Sequence, residues 1–289
     1  MAQHNECFFE GSHSINIALM RNVSARVGHG LTLKNIAEPV KIEGAMAEHE
    51  YTKEVVKKVG LKLYEVEADE EYPDCVFIED PVFFLDGVAF FPQAGHPSRR
   101  GEKGAVLEFV KKHFPTLKCV EMTGEGYMDG GDICFLGGEK KEILCGVSTR
   151  TNEEGVRQLQ AAYPDYTVTP IPIPTVEEGG LLHLITHCSR YASGPYLAIG
   201  KSEASQRVKK NIEERAISKV EFFEVPDDWA ANCIYVNGYV LHCSQEEYPE
   251  SFKAYQEKFG DKAIPLKNKE FDKIDGSLTC RVRLLKYPL

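Results

Sequence analysis

A pattern of roughly fifty residues recurs five times along this chain of 289 residues, and it constrains the fold more than any other feature. Each copy contains an apolar run, a polar turn, an amphipathic helix and a second apolar run. A short strand-like segment connects each copy to the next, and these connecting segments are 74–84, 129–136, 181–188, 232–236 and 277–285. Periods of this length are typical of propellers and other repeat arrays. The pattern predicts an α/β fold in which five strand-strand-helix-strand units close into a ring.

The copies cover 15–68, 87–122, 142–173, 196–225 and 239–266. In the second copy, Val106, Phe109 and Val110 share one face of the predicted helix. We expect capping boxes, Thr151 with Glu154 and Ser244 with Glu247, at the start of two other helices. An open parallel sheet is the alternative architecture, but the chain contains no glycine-rich phosphate loop of the kind that such sheets often carry.

Charge and cysteine spacing limit the classes of partner. The net charge of −10 argues against a nucleic acid or an anionic membrane as the main partner. No apolar run reaches the length of a membrane span, and Met1–Met20 has no signal-peptide pattern. The nine cysteines are scattered without the paired spacing of zinc sites. We expect a cytoplasmic protein with reduced thiols and no metal, in which 1–289 form a single domain.

Chemically capable side chains fall on the connecting segments, which a ring would bring to a common centre. The first segment carries Asp74, Glu79 and Asp80, the second Asp129, the third His183 and His187, and the fifth Cys280. Taken alone, Cys280 has a simpler explanation as a small core residue, because free cysteines are often buried. In the same way, Asp74 and Asp80 could be turn residues beside Pro73 and Pro81.

Together, these residue types suit nucleophilic catalysis on a cationic substrate. A thiol attacks carbon as the thiolate, and a histidine can protonate a leaving amine and later deprotonate water. A carboxylate on the other ring nitrogen fixes the tautomer of that histidine. The additional carboxylates repel one another unless a cation lies between them, and a planar guanidinium is the cation that fits best.

Seven segments, in order and over nearly the whole chain, resemble the dimethylarginine dimethylaminohydrolase family of guanidine-modifying enzymes. They are 63–80, His-Pro-Ser-Arg-Arg (96–100), Met-Asp-Gly-Gly-Asp (128–132), Gly-Val-Ser-Thr-Arg-Thr-Asn (146–152), Ala-Ala-Asn-Cys-Ile-Tyr (230–235), Glu-Glu-Tyr-Pro-Glu-Ser (246–251) and Asp-Gly-Ser-Leu-Thr-Cys (275–280). The resemblance implies a five-bladed α/β propeller, in agreement with the repeat. It also implies a hydrolase without a cofactor that converts Nω-methylated arginine to citrulline and a methylamine.

The resemblance assigns roles at matching positions. Cys280 matches the nucleophile that forms a covalent thiouronium, His183 the general acid and base, and Asp129 the residue that orients the histidine. The residues that match substrate-binding positions are Asp74, Glu79, Asp80 and Phe77 at the guanidinium, Arg99 and Arg150 at the α-carboxylate, Leu31 in a lid loop, and Ile274 with Asp275 at the α-amino end.

Several alternatives remain open at this stage. His187 competes with His183 for the catalytic role, since both would lie on one face of a strand. Unmethylated arginine is the other candidate substrate, as in arginine deiminases, and a non-catalytic methylarginine-binding protein is a third possibility. Cys280 with His183 could also bind a stray zinc ion, and the chain could be a monomer or a homodimer.

Overall fold

The computed structural model describes residues 15–33 and 38–288, which form an α/β fold with fifteen strands. The strands are β1 Ile17–Arg21, β2 Lys62–Val66, β3 Phe83–Leu85, β4 Val88–Phe91, β5 Lys118–Glu121, β6 Ile133–Gly137, β7 Glu142–Val147, β8 Thr167–Pro172, β9 Cys188–Arg190, β10 Tyr196–Ile199, β11 Glu221–Glu224, β12 Ile234–Val236, β13 Tyr239–Cys243, β14 Ala263–Leu266 and β15 Arg283–Leu285.

Seven α-helices connect the strands, and none of those in the described part of the chain is long and apolar enough to cross a membrane. The helices are α1 Ile42–Lys58, α2 Glu102–His113, α3 Glu153–Ala162, α4 Leu184–His187, α5 Glu203–Arg215, α6 Pro249–Phe259 and α7 Lys269–Asp272. Short 3-10 turns occur at Val27–His29, Pro97–Arg99, Gly130–Asp132, Val176–Glu178, Trp229–Ala231, Gly260–Lys262 and Thr279–Arg281. Residues 1–14, which belong to the N-terminal stretch without a signal-peptide pattern, lie outside the described residues.

The strands form five three-stranded sheets with one common plan. In each sheet the middle strand pairs with one antiparallel and one parallel neighbour, and a helix connects it to the parallel neighbour. The middle strands are β1, β4, β7, β10 and β13. β15, near the C-terminus, is the antiparallel partner of β1, with Ile17 opposite Leu285. The two ends of the described chain therefore complete one sheet.

Apolar side chains fill the spaces between successive sheets. One cluster joins the sheet of β1 to the sheet of β4 and includes Ile17 and Phe91. Three more clusters join the sheet of β4 to that of β7, β7 to β10, and β10 to β13. A further cluster joins the sheet of β13 back to that of β1, with Leu241 and Met20 among its members. The five sheets therefore follow one another in a cyclic series.

The five-unit repeat is confirmed in the α/β fold, but the connecting segments differ from the prediction. Each was predicted to be a strand along its length, whereas the chemically capable residues lie in turns that precede the strand. The turns are the 3-10 turns Gly130–Asp132, Trp229–Ala231 and Thr279–Arg281, helix α4, and successive turns over 73–81. Polar side chains in these turns satisfy backbone groups, a local arrangement that competes with strand pairing.

Both predicted capping boxes are wrong. Helix α3 is capped by Asn152, whose side chain accepts a hydrogen bond from Gly155 N at 2.8 Å. Thr151 instead donates its hydroxyl hydrogen to Asp132 at 2.6 Å. Helix α6 begins at Pro249, which needs no backbone donor at the first position of a helix. Its predicted box lies in the loop before it, where the Ser244 hydroxyl bonds the Glu247 carboxylate.

Candidate active site

Residues from the turns over 73–81, from the segment before α4 and from the 3-10 turn Thr279–Arg281 line one cavity of about 150 Å³. Its walls contain ten of the twelve residues proposed from the sequence, and the other two, Asp129 and Glu79, are buried and bonded to side chains near the wall. The lining residues are Leu31, Thr32, Leu33, Asp74, Phe77, Asp80, His96, Arg99, Arg150, Leu182, His183, Ile274, Asp275, Gly276 and Cys280. Residues distant in sequence therefore share one site.

Cys280 lies in the 3-10 turn before β15, with 6% of its surface exposed. Its carbonyl accepts a hydrogen bond from Glu79 N at 3.1 Å, which ties the turn to the first connecting segment. Burial raises the pKa of the Cys280 thiol well above its usual range, and the negative charges of Glu79 and Asp80 raise it further. With these neighbours alone, the thiol stays protonated near neutral pH.

His183 directly precedes α4 and forms a buried pair with Asp129, the Nε2 to Oδ2 distance being 3.0 Å. Burial favours the neutral ring, but the hydrogen bond to Asp129 and the charges of Asp80 and Asp132 outweigh it and raise the pKa of His183 to about 9. Burial likewise opposes the ionised form of Asp129, yet His183 lowers the pKa of that carboxyl to about 2. The pair is therefore an imidazolium and a carboxylate at neutral pH.

The backbone next to the His183–Asp129 pair has no room for a residue larger than glycine. A Cβ atom on Gly131 would lie 2.6 Å from His183 Nδ1, so only glycine lets the turn approach the ring. Asp129 uses its other carboxylate oxygen to accept a hydrogen bond from Gly95 N at 2.9 Å. Asp132, which sequence analysis left without a role, accepts from Leu184 N at 2.9 Å and so fixes the start of α4.

His187 does not border the cavity. Its Nε2 accepts a hydrogen bond from Leu181 N at 2.9 Å, and its Nδ1 lies 3.0 Å from Ser205 Oγ. Burial lowers the pKa of His187 to about 4. The expectation that both histidines share one face of a strand is wrong, because His183 precedes α4 with an extended backbone whereas His187 is the last residue of that helix. Of the two histidines, His183 is the one at the cavity.

Asp80 and Arg99 form a buried ion pair on the cavity wall, with Nη1 and Oδ2 2.7 Å apart. The other side of the Arg99 guanidinium makes a forked pair with Glu102, in which Nε and Nη2 both lie 2.8 Å from carboxylate oxygens. Glu102 was not among the predicted site residues, and its signal in the sequence is an acid three residues after Arg99. Arg99 is thus anchored by protein carboxylates at the cavity wall.

The guanidinium of Arg150 is more available to a ligand than that of Arg99. Its Nη1 is buried and has no hydrogen-bond partner among residues 15–33 and 38–288. A Cβ atom on Gly95 would lie 2.5 Å from the carbonyl oxygen of Arg150, so the segment before the 3-10 turn 97–99 packs directly against it. A buried guanidinium hydrogen without an acceptor is costly, and an anionic group in the cavity would satisfy it.

Glu79 lies behind the cavity wall, although the sequence assigned it to the guanidinium. Its Oε2 accepts a hydrogen bond from Thr279 Oγ1 at 2.9 Å, and its Oε1 lies 3.7 Å from Arg283 Nη1. Burial raises the pKa of Glu79 to about 7, although the charge of Arg283 opposes this. Glu79 therefore adjoins the turn that carries the thiol and acts on the cavity through its charge.

A loop containing Leu31 lies at the cavity and is bonded to two of the predicted substrate-binding acids. Leu31 N donates to both carboxylate oxygens of Asp74, at 3.0 and 3.2 Å. Leu33 N donates to Asp275 Oδ2 at 2.5 Å. Asp275 adopts a φ of 59°, a left-handed conformation that aspartate tolerates better than most residues. The same acids that were expected to meet a substrate thus also fix the loop.

Asn232 is a structural link that sequence analysis quoted without assigning a role. Its Nδ2 donates to Ile185 O and to Thr279 Oγ1, both at 2.9 Å, and its Oδ1 accepts from Thr279 N at 3.0 Å. These bonds join the turn of Cys280 to the helix that follows His183. The signal was its position in the fourth connecting segment, equivalent to the chemically capable residues of the others.

Asp80, Asp129 and His183 each offer a ligand atom within 4.8 Å of the others, an arrangement that metal sites share. Here the carboxylate oxygens already accept hydrogen bonds, Asp80 from Arg99 and Gly131 N, and Asp129 from Gly95 N and His183. These contacts suit a protonated imidazole held between acids.

An α/β fold of five small sheets, with a thiol, an imidazole–carboxylate pair and an acid–guanidinium cluster at one cavity, suits a cysteine-containing hydrolase. The family described as N,N dimethylarginine dimethylhydrolase, eukaryotic, matches residues 30–220, about two thirds of the chain. The chain therefore belongs to this family, and it is a hydrolase acting on carbon–nitrogen bonds of amidines.

Relatives of similar length support the assignment. The N(G),N(G)-dimethylarginine dimethylaminohydrolase of Pseudomonas aeruginosa is 29% identical over 261 residues, covering 87% of this chain and 92% of the relative. The protein of the same name from Streptomyces coelicolor is 27% identical over 266 residues, covering 91% and 94%.

Solved structures show the same fold. The Pseudomonas aeruginosa enzyme, as a mutant complexed with citrulline, has a TM-score of 0.81 at 24% identity and covers 94% of this chain and 100% of its own. The product-bound N-terminal domain of ArgZ, an arginine dihydrolase from cyanobacteria, has a TM-score of 0.76 at 20% identity, covering 95% and 98%.

Proposed function

We propose that the protein hydrolyses an Nω-methylated arginine, dimethylated or monomethylated, to citrulline and a methylamine. The observation that carries this proposal is the single cavity whose wall holds Cys280, His183 and the Asp80–Arg99 pair. Thiol, imidazole and carboxylate are the groups needed to attack a guanidino carbon, to protonate its leaving amine and to bind its charge.

The substrate binds through both of its charged ends. The guanidinium lies between the thiol and the carboxylates of Asp74 and Asp80, beside the ring of Phe77, with Glu79 adding negative charge from behind the wall. At the other end of the substrate, the unpaired Nη1 of Arg150 takes the α-carboxylate, together with the remaining hydrogens of Arg99.

The α-amino group lies near Asp275 and Ile274, with the loop of Leu31 over the substrate. This assignment is supported by the position of the two residues on the same wall as Cys280. Asp275 provides the negative charge, and Ile274, with 1% of its surface exposed, provides a rigid backbone edge.

The reaction has two stages. The Cys280 thiolate donates an electron pair to the guanidino carbon, a carbon–sulfur bond forms, and the carbon–nitrogen bond to the methylated nitrogen breaks. His183 gives its proton to the departing methylamine, which leaves a thiouronium on the sulfur. His183 then takes a proton from water, whose oxygen attacks the same carbon. The added oxygen then loses its remaining proton to solvent, where the released methylamine takes one up, and forms the carbonyl as the carbon–sulfur bond breaks. Citrulline is released and the thiolate returns.

The protonation states support substrate-assisted activation of the thiol. Glu79 and Asp80 raise the pKa of Cys280 because a thiolate beside them adds negative charge to a buried site. A bound guanidinium supplies the opposite charge and so favours the thiolate. His183, whose pKa of about 9 leaves it protonated at neutral pH, is ready to act as the acid of the first stage.

Substitution of Cys280 tests the proposal most directly. We expect wild type to release citrulline from dimethylarginine and Cys280→Ser to lose that activity, since an alcohol at this position is a far weaker nucleophile. Cys119→Ser, which changes a half-buried thiol outside the cavity, is the matched control and should keep full activity. Equal citrulline release by wild type and Cys280→Ser would remove Cys280 from the mechanism.

Hydrolysis of unmethylated arginine is the second candidate, because an arginine dihydrolase domain shares the fold. The two candidates differ in what the cavity must accommodate at the nitrogen that leaves. Comparing kcat/KM for arginine and dimethylarginine with one preparation separates them. A methylarginine-binding protein without activity would bind both ligands and release no citrulline from either.

We also propose that the five sheets are the blades of a five-bladed α/β propeller, and that residues 1–289 form one catalytic domain around the cavity. The cyclic series of apolar clusters supports this architecture. The pairing of β1 with β15 supports it as well, because one sheet is built from both ends of the described chain. Whether the protein is a monomer or a homodimer does not alter this arrangement.

A further inference from the structure

We propose that Ser277 is a further catalytic residue, whose hydroxyl and backbone N–H together hydrogen-bond the Cys280 thiolate. This inference rests on the proposed role of Cys280 as the nucleophile. Ser277 N lies 3.3 Å from Cys280 Sγ, and Ser277 Oγ lies 3.2 Å from it. Two donors from one residue thus converge on the reacting atom, as donors converge on the oxygen of an oxyanion hole.

The Ser277 hydroxyl has no competing task. Ser277 is buried, with 3% of its surface exposed. Among the described residues, Cys280 Sγ is the only hydrogen-bond partner of its oxygen. A buried hydroxyl is normally bonded to a good acceptor, and a neutral thiol is a weak one. The thiolate is a far better acceptor, so the contact reaches its full strength only when the sulfur is ionised.

The backbone holds Ser277 in place. Asn268 Nδ2 donates to the carbonyl of Gly276 at 2.7 Å, which fixes the peptide that carries the Ser277 N–H. A Cβ atom on residue 276 would lie 2.5 Å from the ring of Phe77, so the glycine lets this segment pass close to the cavity wall. The two donors are therefore positioned before any substrate binds.

Charged groups around the sulfur leave a role for neutral donors. Glu79 and Asp80 disfavour the thiolate, while the guanidinium groups of Arg281 and Arg283 favour it. The other charged groups that line the cavity with the sulfur are His183, Asp74, Arg99, Arg150 and Asp275. Ser277 favours the thiolate by hydrogen bonding alone, and adds no charge that would repel a cationic substrate.

The same donors serve both stages of the reaction. In the first stage, the sulfur electron pair forms the carbon–sulfur bond, and the two hydrogen bonds weaken as negative charge leaves the sulfur. In the second stage, the carbon–sulfur bond breaks and the electron pair returns to sulfur, where the O–H and N–H stabilise it. Loss of the hydroxyl should therefore slow thiolate formation and thiolate departure.

Alkylation of Cys280 measures the thiolate without any substrate. Full-length Ser277→Thr and Ser277→Val are treated with iodoacetamide at several pH values, and peptide mass spectrometry follows modification at Cys280 and at the half-buried Cys119. The two variants have the same size and differ only in the hydroxyl. We expect Ser277→Thr to react nearly as wild type and Ser277→Val to react about tenfold more slowly, because a hydrogen bond to a charged group is worth about a factor of ten or more.

Cys119 is the internal reference, and its rate should be the same in all proteins. Ser251→Ala, which removes a buried hydroxyl bonded to Asp227 and outside the cavity, is the control for general effects of such a change. Equal Cys280 rates in Ser277→Thr and Ser277→Val, or faster reaction in Ser277→Val, would overturn the inference. If the Cys119 rate also changed in both variants, the Cys280 rate would be divided by the Cys119 rate in each protein. Equal ratios in Ser277→Thr and Ser277→Val would then overturn the inference.

Failure of this inference and failure of the proposed function are distinguishable. Wild type that releases no citrulline refutes the proposed function, while the alkylation rates still report on the two donors. Wild type that releases citrulline, with equal alkylation in the two variants, refutes the role of Ser277 alone.

Discussion

The two histidines at the ends of α4 have the same side chain and opposite chemistry. His183 lies at the cavity beside Asp129, and its pKa is raised to about 9. His187, one helical turn later, is buried between Leu181 and Ser205, and its pKa is lowered to about 4. Burial favours the neutral ring in both cases. Only His183 has carboxylates close enough to reverse that preference.

The hydrogen bonds of His187 explain why it is inert. A backbone N–H can only donate, so Nε2 of His187 must be the unprotonated nitrogen, and Nδ1 donates to Ser205. Both ring nitrogens of His187 are thus occupied by hydrogen bonds to neighbouring residues. His183 uses Nε2 for Asp129 and borders the cavity, where a proton can be exchanged. The hydrogen-bond partners of each histidine decide which of the two can exchange a proton with the cavity.

The largest difference between the two histidines should appear when each is replaced by glutamine. We expect His183→Gln to lower kcat for dimethylarginine roughly a thousandfold, because the leaving amine loses its general acid and the water its base. We expect His187→Gln to change kcat less than about threefold, since this side chain does not border the cavity. Steady-state citrulline release by the two variants measures both numbers. Similar losses in both would show that the helix, and not the His183 ring, carries the effect.

Replacing Asp129 should make His183 resemble His187 and lower kcat about a hundredfold. In Asp129→Asn, the charge that favours the imidazolium is gone, so the pKa of His183 falls from about 9. The proposed reaction needs the protonated ring in its first stage, and the alkaline limb of kcat should therefore move to lower pH. A pH profile of kcat for wild type and variant measures this shift. If the alkaline limb stayed at the same pH in the variant, the deprotonation that causes it would not be that of His183.

The Asp129→Asn substitution should also change how the stability of the fold depends on pH. The pKa of His183 is raised from 6.5 to about 9, so its contribution to stability is complete below pH 6.5 and is lost as the pH rises through about 9. The pKa of Asp129 is lowered from 3.8 to about 2, so its contribution is complete above pH 3.8 and is lost as the pH falls through about 2. Denaturation curves of Asp129→Asn should therefore show a smaller loss of stability at alkaline pH than wild type does.

Much of this architecture could be predicted from the sequence, because the repeat reflects one plan used five times. Apolar runs and amphipathic helices recur since each sheet must bury two faces against its neighbours. The turns could not be placed as easily. The segment of Cys280 is apolar enough to suggest a strand, but Thr279 bonds Asn232 and Glu79, side chains that lie 47 and 200 residues away in sequence.

The choice between the two histidines shows the same limit. Their spacing of four residues suits one face of a helix as well as alternate positions of a strand. What separates them is the position of Asp129 and Asp132 around the start of α4, and of Ser205 on α5 near its other end. Arg99 is a similar case. Its forked pair with Glu102 depends on side-chain geometry, which the spacing of residues in a motif does not reveal.

The smallest effect is expected at His187, where the cost should appear in folding and not in catalysis. His187→Phe keeps the ring but leaves Leu181 N and Ser205 Oγ without their partner, which should lower the free energy of unfolding by roughly 1–3 kcal/mol. His187→Gln offers an acceptor for Leu181 N and should lose less. Urea denaturation of the three proteins at neutral pH measures the differences.

Acid denaturation sharpens this last contrast. The pKa of His187 is lowered from 6.5 to about 4, so its contribution to stability is complete above pH 6.5 and is lost as the pH falls through about 4. His183 behaves in the opposite way, with its loss at alkaline pH. Wild type should therefore lose stability between pH 6.5 and 4 more steeply than His187→Phe. Equal slopes for the two proteins would mean that folding does not lower the pKa of His187, and the contrast between the two rings would then rest on position alone.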